Sequence, residues 1–281
     1  MEIQKYTLLR TARMALITLT TDLGPKDPDG ASLRGLVWRE LLRAGLTGPV
    51  VDITHAIPPR NHSDAAYILR LSYPHYPEGT IHIVMVDSAP SETVFPVGIT
   101  LNGHHFLGMN HGGLALIEPD TRPTEIVRLS FPEQPDLTHP ADLLAFAATQ
   151  LSRGRTLSAV GVPMETMTVL HPIRPSAIHS NQIHCEVQFI DHYGNAVTNV
   201  HQQWLEPLAA GKAIRVVVRN QKVTKWPKNL RDVGLSGTLF LRFNRGGYLE
   251  ICLSEPGDNG TNTAASLLGL TVHSPVMIQF A

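Results

Sequence analysis

The chain has 281 residues, 43% of them hydrophobic and 17% charged, with a formal net charge of −1. That is enough apolar material for one large domain or two smaller ones, and a near-neutral balance leaves no electrostatic footprint for nucleic acid or an anionic membrane. No apolar run is long enough to span a bilayer and the first residues lack a signal-peptide core, so a cytoplasmic protein is expected.

Residues 14–20 read as a first strand, which ends abruptly in Thr21-Asp22-Leu23-Gly24. A helix follows over 31–44, where Leu33, Leu36, Val37, Leu41 and Leu42 repeat at helical spacing. A second strand is expected over 49–53, a second helix over 62–71 and a third strand running up to Val86-Asp87. This strand–helix alternation predicts a mainly parallel sheet covered on both faces. Ligands of such sheets bind outside the carboxyl ends of the strands. Asp22 and Asp87, each at a strand end, are therefore candidates for one pocket rim. Residues 97–107, turning at Asn102-Gly103, read as a hairpin, and 141–151 as another helix.

Residues 154–182, with Pro163, Pro172 and Pro175, lack periodicity and read as a connector. Strands then follow one another over 183–190, 196–200, 213–218, 238–243, 248–253 and 276–280, with one short helix over 263–268. The expected fold is thus an α/β domain over residues 1–162, a linker over 163–182 and an all-β, barrel-like domain over 183–281. Cys185 and Cys252 sit in strand contexts and read as core thiols of a reducing compartment.

Fourteen histidines are scattered without metal-binding spacing, so neither a metal nor a cofactor is expected; the densest group, His104, His105 and His111, reads as turn histidines. His139, before Pro140, is either a proton-handling partner for Asp87 or the plain N-terminus of a helix. In the second half, Asp191 to Asn199 and Phe243 to Glu250 are polar turns between apolar strands, and turn chemistry alone would account for Asp191, Gly194 and Asn195.

These segments together resemble the S-adenosylmethionine hydroxide adenosyltransferase family, which also contains fluorinases and chlorinases. The matching stretches are Thr21 to Pro28 with Arg34-Gly35, Val51 to Pro59, Asp64-Ala65-Ala66, Tyr76 to His82, Val86-Asp87, Asp191 to Asn199, Gly247 to Ile251 and Ala264 to Leu267. They run in family order over nearly the whole chain. The resemblance implies an α/β domain joined to a β-barrel, and a homotrimer with ligand sites shared between subunits. It implies attack of water or halide at ribose C5′ of S-adenosylmethionine, the substrate, with L-methionine leaving. By the same resemblance Asp22 would hold the ribose hydroxyls, Asp191 the methionine ammonium and Asn195 the adenine, with Arg245 and Tyr248 as further substrate contacts.

The family's hydrolytic Asp-Arg-His set is only partly present. Asp87 and His139 match, but the arginine position is Val94, and the Gly-Arg after the histidine is Pro140-Ala141. Without its cation a buried Asp87 would be pushed toward a raised pKa, and Arg245 or His111 is a candidate replacement charge. The halogenating members carry tyrosine where this chain has Asp87, which disfavours halide as the nucleophile. The leading expectation is a hydrolase releasing adenosine and methionine. The alternative is a non-catalytic binder of S-adenosylmethionine or adenosine.

Overall fold

Ile17, Leu19, Ile81 and Ile83 are fully or almost fully buried and alternate along two adjacent strands, which fixes the middle of the first sheet. The computed structural model describes residues 15–179, 181–254 and 262–280; the expected strand residue Met14 and the acidic-glycine segment 255–260 lie outside them. The chain divides into two units at His171/Pro172.

The first unit contains β1 (Ile17–Thr21), α1 (Pro28–Arg43), β2 (Val50–Thr54), α2 (His62–Ser72), β3 (Ile81–Met85), β4 (Pro96–Leu101), β5 (His104–Met109), β6 (Glu125–Leu129), α3 (Pro140–Ser152) and β7 (Gly161–Pro163). They form a seven-stranded sheet of order β2-β1-β3-β5-β4-β6-β7. Its β2-β1-β3-β5 half is parallel and its β5-β4-β6-β7 half antiparallel. One face carries α1 and α3, whose Leu33, Val37, Leu41, Leu144 and Ala148 share a core with Ile17, Leu19, Ile81 and Ile83. The other carries α2, whose Ala65, Ala66 and Leu69 pack with Val84, Val86, Ile99 and Phe106. Consecutive residues of β3 therefore feed opposite cores, as a period of two requires.

The core of this unit also holds a polar wire. Thr18 Oγ1 meets His82 Nδ1 at 2.7 Å, and His82 Nε2 meets His104 Nδ1 at 3.1 Å. His82 is completely buried and stacks on Phe106. Burial, reinforced by the neighbouring His104 and His105, pushes its pKa down to about 3.

The second unit contains β8 (Ser176–His179), β9 (Gln182–Ile190), β10 (Ala196–His201), α4 (Gln202–Ala209), β11 (Ile214–Val218), β12 (Gln221–Val223), β13 (Leu239–Phe243), β14 (Tyr248–Leu253), α5 (Ala264–Leu268) and β15 (Pro275–Phe280). The eight strands are antiparallel, in the order β12-β11-β15-β9-β10-β14-β13 with β8 beside β9. The long β9 pairs with β15 through 182–186 and with β10 through 187–190, so one strand turns the corner of a barrel-like sheet. Its core is aliphatic, built on Val187, Val200, Val216, Leu241, Leu249, Ile251 and Ile278. Cys185 and Cys252 are free, buried thiols, and burial raises Cys185 to about 12.

The expected linker 163–182 straddles the observed division. Its ends are ordered into sheets, since Pro163 closes β7 against β6 and β8 pairs with β9. Strands β6, β7, β8 and β12 and helix α4 were not read from the sequence; all are short, and α4 carries Pro207 inside it.

Candidate functional site

Strands β1 and β3 are parallel neighbours in register, Thr21 beside Met85, so both expected carboxylates emerge at the same sheet edge. Asp22 is tied in by its own N–H, which donates to the Met85 carbonyl at 3.3 Å. Its Oδ2 accepts two backbone N–H groups from distant loops, that of Arg60 at 2.8 Å and that of Asp87 at 3.1 Å. One carboxylate oxygen thus draws the loop after β2 and the loop after β3 together. Arg60 and Asp87 both occupy the left-handed region, at φ 63° and 50°. Side chains other than glycine pay for that geometry, and such positions concentrate where function fixes the backbone. The result places Arg60 Nε 3.5 Å from Asp87 Oδ1, with the arginine side chain 80% exposed.

Two histidines complete this corner. His62 is the first residue of α2, whose N-cap Asn61 accepts the Asp64 N–H at 3.0 Å. His111 follows β5, and its Nε2 donates to the Asp87 backbone carbonyl. The two rings lie 5.4 Å apart. One donor atom from each of His62, Asp87 and His111 falls within 4.8 Å of the others. Burial lowers the His62 pKa, His111 lowers it further, and Asp87 and Asp22 partly offset both. Space for the His62 ring exists because residue 113 is glycine: a Cβ there would stand 2.7 Å from His62 Nδ1.

The helix-start role expected of His139 is seen directly. The residue is the N-cap of α3, its Nδ1 accepting the Ala141 N–H at 3.2 Å, with Pro140 at the first helical position. A neutral ring that accepts at Nδ1 carries its proton on Nε2. In that tautomer His139 offers Nε2 as a hydrogen-bond donor. Val94 closes a tight turn with Ser91, through N–H to carbonyl contacts of 3.3 and 3.0 Å. The expectation of an Asp87 without a cation is corrected: Arg60 stands beside it. Of the two replacements considered, His111 reaches Asp87 through the backbone carbonyl. Arg245 belongs to the second unit, exposed in its 244–247 turn.

In the second unit Asp191 is consumed by its own turn. Its Oδ1 accepts the Tyr193 and Asn195 N–H groups at 2.9 and 2.8 Å, and its Oδ2 accepts Asn195 Nδ2 at 2.8 Å. Asn195 is itself almost fully buried. A cavity of about 450 Å³ opens beside it, lined by Tyr193, Asn195, Phe240, Arg242 and Cys252 among others. Arg242 is anchored to the buried Glu250 at 2.7 Å across β13 and β14. That size suits a planar heterocycle, and the lining mixes apolar walls with few polar groups. In the turn before β14, Asn244 Oδ1 accepts the Gly246 and Tyr248 N–H groups, both at 3.0 Å, and the Tyr248 ring stands edge-on to His201.

Residues 17–161 match the family model of the SAM hydroxide adenosyltransferase N-terminal domain, and residues 185–277 that of the corresponding C-terminal domain. The chain is 25% identical over 266 residues to a protein of Salinispora tropica named (R)-S-adenosyl-L-methionine hydrolase, covering 91% of this chain and 94% of that one. A protein of the same name from Thermus thermophilus is 28% identical over 255 residues, covering 84% and 95%. Among solved structures, an uncharacterized conserved protein from Thermotoga maritima superimposes with a TM-score of 0.79 at 23% identity, covering 94% of this chain and 99% of that one. This last likeness concerns the fold.

Proposed function

Since the chain belongs to the S-adenosylmethionine hydroxide adenosyltransferase family, we propose that it hydrolyses S-adenosylmethionine to adenosine and L-methionine. The sulfonium already makes C5′ electrophilic, so the protein's task is to align water behind the C5′–S bond and exclude competing solvent. Water oxygen forms the new bond to C5′, the C5′–S electron pair returns to sulfur as methionine leaves, and the water proton passes to a base. Asp87 is the base in this reading, with the Arg60 side chain beside its carboxylate. His139 would donate a hydrogen bond from Nε2.

The observation that carries the reading is the double use of Asp22 at the sheet edge. Its Oδ2 holds the Arg60 and Asp87 loops in place, and its Oδ1 is left to receive ribose hydroxyls. Asn195 and the adjoining cavity would take the adenine, Asp191 the methionine ammonium, and Arg245 and Tyr248 further substrate contacts. The relatives' names favour hydrolysis over silent binding. A homotrimer is part of the same proposal, checked by light scattering.

The test is chromatographic. Purified protein is incubated with the (R) and (S) sulfonium epimers of S-adenosylmethionine, and adenosine and methionine are quantified together. Equal amounts of both products are expected, and Asp87→Asn should slow their release by about 10²- to 10⁴-fold, the usual worth of a positioned base. Ligand bound by calorimetry with no product from either epimer would overturn the hydrolase reading in favour of a binding protein.

A further inference from the structure

We propose that His62, Asp87 and His111 form a binding site for one divalent transition-metal cation of the zinc, iron(II) or cobalt(II) kind. Its place in catalysis rests on the hydrolase reading above; the site itself does not.

Three separate segments deliver the ligands: the first residue of α2, the loop after β3 and the loop after β5. Their donor atoms fall within 4.8 Å of one another, and all three residues are half-buried. Ions with ~2.0–2.2 Å bonds set their ligand atoms roughly 3–3.5 Å apart, so side-chain rotations of about an ångström close the set. Two imidazoles and a carboxylate on one side of an ion leave its remaining positions open, the donor choice typical of these metals.

Each ligand has a feature that packing alone does not require. Neither ring nitrogen of His62 hydrogen-bonds to another described residue, although the ring is half-buried and faces Asp87 and His111. His111 donates through Nε2 to the Asp87 carbonyl. That fixes its tautomer and leaves the other nitrogen with a lone pair, as metal-bound histidines are commonly held. Asp87 is set by a left-handed backbone whose N–H is pinned by Asp22. Gly113 keeps the space beside His62 Nδ1 clear.

The charges point the same way. Arg60 now stands against Asp87, but it is largely exposed and reaches only 3.5 Å, so an incoming ion can displace it. A cation in this corner would stand against the Asp87 carboxylate and the two imidazoles. It could orient a water molecule on an open position.

The experiment is direct binding to the full-length protein after chelator treatment. Cobalt(II) titration is followed by visible absorption and zinc titration by calorimetry, for the wild type, His62→Ala, His62→Gln, His111→Ala and the exposed control His171→Ala. One equivalent per chain is expected for the wild type and His171→Ala, with affinity at least about 100-fold weaker in the His62 and His111 variants. Arg60→Ala should bind several-fold more tightly, since a competing cation is gone. Circular dichroism establishes that each variant is folded, and His62→Gln serves where His62→Ala is not. Absence of stoichiometric binding in the wild type, or binding unchanged by His62→Gln and His111→Ala, overturns the site. Adenosine release is assayed in parallel: hydrolysis without metal binding overturns only this site, and metal binding without hydrolysis overturns only the hydrolase reading.

Discussion

The two carboxylates that the sequence offers for ligand binding, Asp22 and Asp191, are satisfied in opposite ways. Asp191 accepts from Tyr193 and Asn195, two and four residues away, within one turn between β9 and β10. Asp22 accepts from Arg60 and Asp87, 38 and 65 residues away. The first arrangement is local chemistry that a short peptide could approximate. The second exists only after the parallel sheet has formed, and it holds two left-handed residues at the sheet edge. A turn of the first kind can present polar atoms to a ligand. A staple of the second kind couples the position of one acid to the integrity of three segments, which is what a proton-handling site needs.

Paired alanine substitutions should break that symmetry most visibly. Asp22→Ala leaves two N–H groups without their acceptor and frees Asp87 from its imposed backbone. It should cost about 2–3 kcal/mol, as expected for lost hydrogen bonds to a charged acceptor. Asp191→Ala removes the acceptor of the Tyr193 and Asn195 N–H groups while the β9–β10 hairpin still fixes the turn, and should cost about 1 kcal/mol. Urea unfolding of both variants gives the order. An Asp191 variant as damaged as the Asp22 variant would mean that the distant staple is no stronger than the local turn.

Acid should separate the units next. His82 lies in the first unit with its pKa lowered from 6.5 to about 3. Between those values the unfolded chain binds a proton that the folded chain refuses. The stability due to neutral His82 is therefore complete above pH 6.5 and declines by about 1.4 kcal/mol per pH unit below it. At pH 5 the loss is about 2 kcal/mol, and the lowered pKa values of His104 and His105 add in the same direction. The core of the second unit contains aliphatic residues and protonated thiols in place of such a wire. Hydrogen exchange at pH 7 and pH 5 should show protection falling in β1, β3 and β5 before it falls in β9, β10 and β14. Equal losses, or an unchanged acid slope in His82→Phe, would remove His82 as the cause.

The same division explains what could be read before the fold was known. Strand-end acids after β1 and β3 were legible because an apolar run that stops at Thr-Asp-x-Gly or Val-Asp has few alternatives. The Asp191 to Asn195 turn was legible for the same local reason. Arg60 and His62 were not: in Pro58-Pro59-Arg60-Asn61-His62 they look like a loop and a helix start, and only the Asp22 contact reveals their proximity to Asp87. A basic pair between a proline turn and a helix beginning was the one available hint. Metal-ligand spacing could not expose His62, Asp87 and His111 either, because each comes from a different crossover of the sheet. His82 was hidden in a strand, where a completely buried imidazole has no signature in periodicity. Helix α4 escaped because Pro207 interrupts an already short segment.

Arg60 gives the smallest change in stability and the sharpest test of how the first unit works. Its side chain is 80% exposed and its contact with Asp87 is 3.5 Å, so solvent screening keeps its worth to stability within about 1 kcal/mol. Its N–H, which Asp22 holds, survives any substitution other than proline. Arg60→Ala therefore leaves the staple intact and removes only the cation. In chelator-treated enzyme, hydrolysis should fall by about tenfold with the urea midpoint nearly unchanged, the size expected when the transition state loses roughly 1.4 kcal/mol of support from a neighbouring charge. Arg60→Lys should recover part of the loss because a positive charge returns near the same carboxylate. A full rate in Arg60→Ala would make the contact incidental and leave Asp87 governed by its backbone and by His111. A large loss of stability would mean instead that the arginine braces the loop, and that the two regions differ in packing more than in charge.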